Sequence, residues 1–158
     1  MPREIERKFL LKNDNWRKAA EPGIPYRQGY LCMEPERSVR VRVAGDRAFL
    51  TIKGKSEGAG RDEFEYPIPK EDAEHLLGDL CVKPLIEKTR YIVRDERLKW
   101  EIDEFGGENR GLVFVEVELK DEGEKIAKPD WVGEEVTGDP RYYNLNLVMN
   151  AYSKWHTD

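Results

Sequence analysis

Arg37-Ser38-Val39-Arg40-Val41-Arg42-Val43, the turn Ala44-Gly45-Asp46, and Arg47-Ala48-Phe49-Leu50-Thr51-Ile52-Lys53 are the stretch from which the architecture is read. Val39, Val41 and Val43 alternate with Arg40 and Arg42, and Leu50 and Ile52 alternate with Thr51 and Lys53. Successive side chains on a strand point to opposite faces, so each run has one apolar and one polar face. Two such runs around a short Gly-containing turn predict an antiparallel hairpin.

The same alternation extends in both directions. Arg3 to Leu11, Tyr26 to Met33, Arg61 to Ile68, Pro84 to Arg94, Lys99 to Phe105 and Gly111 to Lys120 also read as strands. Asn13 is placed to cap a short helix running through Ala20. Pro69 opens a second helix to about Leu80, with Ala73, Leu76, Leu77 and Leu80 on one face. Asp139-Pro140 resembles the start of a C-terminal helix with the stripe Leu145, Val148, Met149 and Tyr152. Eight strands joined by hairpin-length connections predict an α+β, mainly β protein: an antiparallel sheet closed into a tunnel or barrel, with flanking helices.

Composition narrows the class. The 158 residues include 27 Lys or Arg and 32 Asp or Glu, a charged fraction of 37% with a net charge of −5. That balance argues against a general nucleic-acid coat, which is normally basic. Four Trp, seven Tyr and five Phe are spread along the chain, which argues against disorder. No window approaches the roughly 18 apolar residues of a membrane helix. Cys32 and Cys81 lack CxxC spacing, and His75 and His156 are the only histidines, so a thiol framework or a His-based centre is not expected. Met1-Pro2-Arg3-Glu4 has no apolar signal core, and the cytoplasm is the expected compartment.

The charges follow the strand period. Glu4, Glu6 and Lys8 share a face, as do Arg40 and Arg42, Glu63 and Glu65, Lys88 and Arg90, Glu101 and Asp103, and Glu116 and Glu118, while Lys53 lines up with Thr51. A wet sheet face explains any one row. It does not explain rows made almost wholly of acids and Lys or Arg and segregated by sign. A closed sheet accounts for them if the charged rows point inward, giving eight acids against six bases, an excess of negative charge. Unpaired charge in a narrow space is costly. Carboxylates suit hard cations such as Mg²⁺ or Mn²⁺, and Lys and Arg suit phosphate oxygens. A polyphosphate chain carrying divalent metal satisfies both.

Glu4-Ile5-Glu6-Arg7-Lys8 matches the ExExK signature of the CYTH family, also called triphosphate tunnel metalloenzymes. Further matches follow in order: Arg27-Gln28-Gly29-Tyr30-Leu31, Arg40 with Arg42, Thr51-Ile52-Lys53, Glu63-Phe64-Glu65-Tyr66, Glu87-Lys88-Thr89-Arg90-Tyr91, Val115-Glu116-Val117-Glu118 and Gly133-Glu134-Glu135-Val136-Thr137. The chain resembles this family along nearly its whole length, and the resemblance implies one CYTH domain over residues 1–158. It implies a tunnel that binds triphosphate and divalent metal. Family activities include inorganic tripolyphosphatase, thiamine triphosphatase, RNA 5′-triphosphatase and class IV adenylyl cyclase. The His-Phe pair that cyclase-type members carry ahead of ExExK is missing from the three residues before Glu4. The compact form is similar to the small bacterial tripolyphosphatases.

The expected reaction is metal-dependent hydrolysis of tripolyphosphate to pyrophosphate and phosphate. Thiamine triphosphate, nucleoside or RNA triphosphate hydrolysis, a cyclase, and a binding module without turnover are the alternatives. By resemblance, Glu4, Glu6, Asp103, Glu116 and Glu118 are metal-side carboxylates, and Lys8, Arg40, Arg42, Lys53, Lys88 and Arg90 are phosphate clamps. Glu4, Glu6, Lys8, Lys53 and Tyr30 form the catalytic set, with Tyr30 beside Lys53 and concerned with substrate choice. Lys8 has a second reading as a brace for its acidic neighbours. Glu63 and Glu65 either bind a second metal or hold the bases. The C-terminal helix either covers a tunnel mouth or packs on the outside. No nucleic-acid or membrane partner is expected, and the oligomeric state is left open, a homodimer among the options.

Overall fold

The computed structural model describes residues 3–155. Met1, Pro2 and His156 lie outside them. The strands are β1 (Arg3–Leu11), β2 (Ile24–Glu34), β3 (Arg37–Ala44), β4 (Arg47–Gly54), β5 (Gly60–Pro67), β6 (Ile86–Asp95), β7 (Leu98–Phe105), β8 (Val113–Glu118) and β9 (Val132–Glu135). The helices are α1 (Trp16–Ala19), α2 (Lys70–Asp79) and α3 (Asn144–Met149), with short 3₁₀ turns at Gly107–Asn109, Pro140–Tyr142 and Tyr152–Lys154.

All strand pairings are antiparallel, in the order β5-β4-β3-β2-β6-β7-β8-β1. The ring closes where β1 meets β5, through Arg3 opposite Asp62, Glu4 opposite Arg61 and Ile5 opposite Gly60. Closure removes both sheet edges and creates an inside and an outside. The eight-stranded expectation therefore holds for the ring. A ninth strand, β9, was not expected. It pairs with the second half of β1 through Phe9 opposite Glu135, on the edge that the first half gives to β5. Its sequence, Val-Gly-Glu-Glu, is too short and too irregular to alternate.

The outward rows are apolar, as predicted, and are covered in two places. Phe9, Val93, Trp100, Ile102, Val115 and Val117 pack with Trp16 of α1 and with Trp131. Val41, Val43 and Ala48 pack with Ala73 and Leu77 of α2 and with Cys81. Each fully buried apolar side chain of this size is worth about 1.5–3 kcal/mol. Gly29 is needed here: a Cβ would come within 2.7 Å of Leu85 Cδ2 and 2.9 Å of Cys81 Cβ, so only glycine lets the segment after α2 lie on β2. Glu71 and Asp72 favour the N-terminal end of α2, and Lys83 reaches back to donate to the carbonyls of Leu77 and Gly78.

Two helix expectations are corrected. Asn13 is not the cap of α1. Its Oδ1 accepts from the Asn15 N–H at 2.9 Å, which shapes the turn, and Asn15 occupies the cap position. The C-terminal segment is three short pieces rather than one helix. Asp139 caps only the 3₁₀ turn, accepting from the Arg141 N–H, and the chain is extended at Tyr143. Within α3 Leu147 and Val148 are buried while Met149 is 67% exposed, and Tyr152 of the expected stripe falls beyond the end of α3 on the last 3₁₀ turn. Among the described residues, no helix is long and apolar enough to cross a membrane. Both cysteines are free thiols, and His75 is exposed.

Candidate functional site

The inward rows enclose a cavity of about 720 Å³. Beyond the charged lining, one end of the ring is filled by an apolar cluster. The rows of β1, β6, β7 and β8 pass from charge to Leu10, Ile86, Phe105 and Phe114, and Tyr142, Leu147 and Val148 of the C-terminal segment pack onto them. Tyr142 meets Phe114 edge-on, with ring centroids 6.2 Å apart. Of the two readings of this segment, the structure favours the one that closes the lumen.

Acids and bases are sorted by strand. β1, β5, β7 and β8 carry the carboxylates, and the register of β1 and β7 with β8 puts Glu6 opposite Glu118 and Glu101 opposite Glu116. Like charges directly opposite one another destabilise a sheet. Glu6 and Glu116 hydrogen-bond to each other. Burial, then the Glu116 charge, pushes Glu6 well above the usual carboxylate range. Burial also opposes ionisation of Glu116, but Lys8 and the Glu6 bond overcome it and hold that carboxyl well below the usual range. Glu118 is pushed up by burial and by the Glu4, Glu63 and Glu101 carboxylates. Glu4 is also disfavoured by burial, yet Lys53 and Arg61 hold it at about 2.

The bases lie mainly on β3, β4 and β6. Arg42 Nε donates to Gln28 Oε1 at 2.8 Å, and its guanidinium lies 4.8 Å from the Tyr26 ring centroid. Arg40 donates to Thr51 Oγ1 at 3.2 Å and stands 3.7 Å from Glu65, while its buried Nε has no partner among the described residues. Arg90 grips Asp103 through two hydrogen bonds of 2.7 and 2.9 Å and reaches Glu101 at 3.3 Å. Lys88 donates to Asp103 at 2.8 Å. Burial, then the neighbouring cations, lowers Lys88 to about 7 despite Asp103, and burial with Arg40 and Arg90 lowers Arg42 to about 9. Asp103 offsets only part of this crowding of cations, and a further anion among them would relieve the rest.

Most of the expected residues come together on the cavity wall: Glu4, Glu6, Lys8, Tyr30, Arg40, Arg42, Lys53, Glu63, Glu65, Lys88, Arg90, Glu101, Glu116 and Glu118. Asp103 does not. It is fully buried behind the wall, with both oxygens taken by Arg90 and Lys88. Arg47, Lys55, Arg61 and Lys99 also line the cavity, so bases outnumber acids there and the expected negative excess is reversed. Tyr30 does not sit beside Lys53. It is opposite Arg40, whereas Lys53 is opposite Ser38, because β3 runs between β2 and β4. Lys53 instead binds Glu4 at 3.0 Å and Glu63 at 3.2 Å. Lys8 donates to the Tyr142 carbonyl at 2.7 Å and stands 4.4 Å from the Phe114 ring centroid, so it anchors the C-terminal segment. Trp16, Trp100 and Trp131 lie in the outer core, and Trp155 packs on Tyr142.

Two residues of the polar network were missed. Gln28 is fully buried between Arg42 and Asn144. Inward parity with Tyr30 was available as a signal for it. Asn144 enters from α3, and no strand period could have found it.

Among the described residues, no three Asp, Glu, His or Cys side chains converge into a ready-made metal cage. The donors are all hard oxygens, and they suit a cation that takes one or two carboxylates and completes its shell with water and phosphate oxygens, as Mg²⁺ does. The Glu6–Glu116 pair, and Glu118 among Glu4, Glu63 and Glu101, are the places that such a charge would relieve.

A closed antiparallel ring with carboxylates on one arc and clustered cations on the other defines a charged-tunnel protein. The chain belongs to the CYTH domain family, whose profile matches residues 2–143. It is 52% identical over 155 residues to the inorganic triphosphatase of Acetivibrio thermocellus, covering 98% of this chain and 99% of that protein. It is 36% identical over 152 residues to the inorganic triphosphatase of Nitrosomonas europaea, covering 93% and 97%. The crystal structure of an inorganic triphosphatase superposes with a TM-score of 0.65 at 35% identity, over 92% of this chain and 94% of that one. A Pyrococcus horikoshii protein, at 18% identity and a TM-score of 0.57 over 75% and 79%, shares the fold.

Proposed function

We propose that this chain hydrolyses inorganic tripolyphosphate to pyrophosphate and phosphate inside the lumen, using Mg²⁺ or Mn²⁺. The observation that carries the reading is the sorting of charge by sign across one cavity of about 720 Å³. The strong similarity to two inorganic triphosphatases supports the same reaction. Glu6, Glu116 and Glu118, with Glu4 nearby, would hold the divalent ion, which supplies Lewis-acid charge to phosphate oxygens and acidifies water.

The chain's own work is binding and positioning. Arg40, Arg42 and Lys88 take the phosphate oxygens and replace the water they lose, which offsets the cost of keeping three cations together. Asp103 braces Arg90 and Lys88 in place. Water attacks the terminal phosphorus, the bridging P–O bond breaks, and pyrophosphate leaves against the basic arc. No side-chain nucleophile is needed. The excess of bases on the wall draws in a polyanion, and three linked phosphates present more oxygens to it than pyrophosphate does.

A release assay with tripolyphosphate, thiamine triphosphate, ATP and pyrophosphate tests the reading. Tripolyphosphate is expected to give the highest kcat/KM, and a higher value for ATP or thiamine triphosphate would refute it. Tyr30 adds a finer prediction. It is buried against Ile86 and Phe105 yet lines the cavity beside Arg40. Tyr30→Phe keeps the ring and removes the hydroxyl, so it should change the tripolyphosphate-to-ATP ratio by about tenfold, the worth of a hydrogen bond to a charged group. Unchanged ratios for every substrate would end its assignment to substrate choice.

A further inference from the structure

We infer that Asn144, on the C-terminal segment, donates a hydrogen bond from its side-chain Nδ2 to the phosphate chain in the lumen. The inference rests on the tripolyphosphate reading and adds to it a neutral contact from outside the ring of strands.

The orientation of the amide follows from its neighbours. Arg42 Nε donates to Gln28 Oε1 at 2.8 Å, so the Gln28 amide nitrogen points the other way, to Asn144 Oδ1 at 3.2 Å. Lys88 Nζ donates to the same Asn144 oxygen at 3.0 Å. Both ends of this chain are cations, which can only donate. A flipped Asn144 would set its N–H groups against the Lys88 ammonium. Oδ1 is therefore fixed between two donors, and Nδ2 is turned away from them.

Nδ2 carries two N–H donors and has no hydrogen-bond partner among the described residues. It is not one of the fully buried, unpaired atoms, and Asn144 lines the cavity. The segment that carries it is held in place by the Lys8 bond to the Tyr142 carbonyl. A pre-positioned donor beside Lys88, facing a space that suits a polyanion, needs an acceptor, and a phosphate oxygen is the strongest acceptor the site would hold.

Two substitutions separate this role from its rivals. Asn144→Asp keeps an oxygen for Lys88 and Gln28 and replaces the donor by a second, negatively charged oxygen. Asn144→Ala removes the donor and the Oδ1 acceptor together, without adding charge. Binding of inorganic tripolyphosphate in EDTA, measured by titration calorimetry, reads the contact without turnover. Both variants are expected to bind at least about tenfold more weakly than wild type. Asn144→Asp should keep a thermal midpoint near that of wild type, whereas Asn144→Ala, which leaves the buried Gln28 amide without its acceptor, should melt lower. If Asn144→Asp binds within twofold of wild type, Asn144 only orients Lys88 and the inference fails. If Asn144→Ala binds as wild type does and only Asn144→Asp is weakened, the effect is charge repulsion and the inference fails too. A wild-type protein that takes up no tripolyphosphate would remove the functional reading, and this inference with it.

Discussion

Glu6→Gln is expected to lower tripolyphosphate turnover by roughly 10³-fold while leaving the folded protein as stable as wild type. Loss of a metal's charge stabilisation is worth several kcal/mol, which sets that scale. The stability expectation comes from the pairing on β1 and β8. Burial and Glu116 already push Glu6 well above the usual carboxylate range, so a neutral amide resembles the group the metal-free protein carries. Glu118→Gln, directly opposite in register, should act in the same direction. Rates from tripolyphosphate release and midpoints from thermal unfolding check both. Wild-type turnover in either variant would move the metal away from this arc.

Asp103→Asn should do the reverse and damage the fold first. Asp103 is fully buried and holds Arg90 at 2.7 Å and Lys88 at 2.8 Å. Removing one partner of a buried ion pair leaves uncompensated charge and costs about 3–5 kcal/mol. For a chain of this size that is a fall in midpoint of roughly 6–20 °C. Tripolyphosphate binding should partly restore the midpoint, because an anion then meets the freed cations. An unchanged midpoint with lost metal affinity would return Asp103 to the metal side.

The contrast between these two acids marks where sequence reading reaches its limit. Face parity is a local property of a strand, and it put Glu6 and Asp103 on the same inner surface. Which acid faces the cavity and which faces a cation depends on register between strands: Asp103 lies opposite Arg90, whereas Glu6 lies opposite another acid. Register also separated Tyr30 from Lys53, since adjacency needs to know that β3 intervenes. The ring itself was legible because valines and arginines in strict alternation leave few other folds open. β9 was not, because four residues containing a glycine carry no period. The C-terminal stripe held in part: Leu145, Val148 and Tyr152 join the apolar cluster, but α3 ends at Met149, which is left exposed, and Tyr152 falls on a separate 3₁₀ turn. Asn144 and Gln28 are neutral, so the pattern of charges carries no mark of them.

The most direct test of the account is phosphate release from tripolyphosphate by protein stripped with EDTA and then given Mg²⁺. The account predicts background release after stripping, with tripolyphosphate still bound by the basic wall, and full recovery when Mg²⁺ is restored. Release that continues undiminished after exhaustive stripping would contradict it.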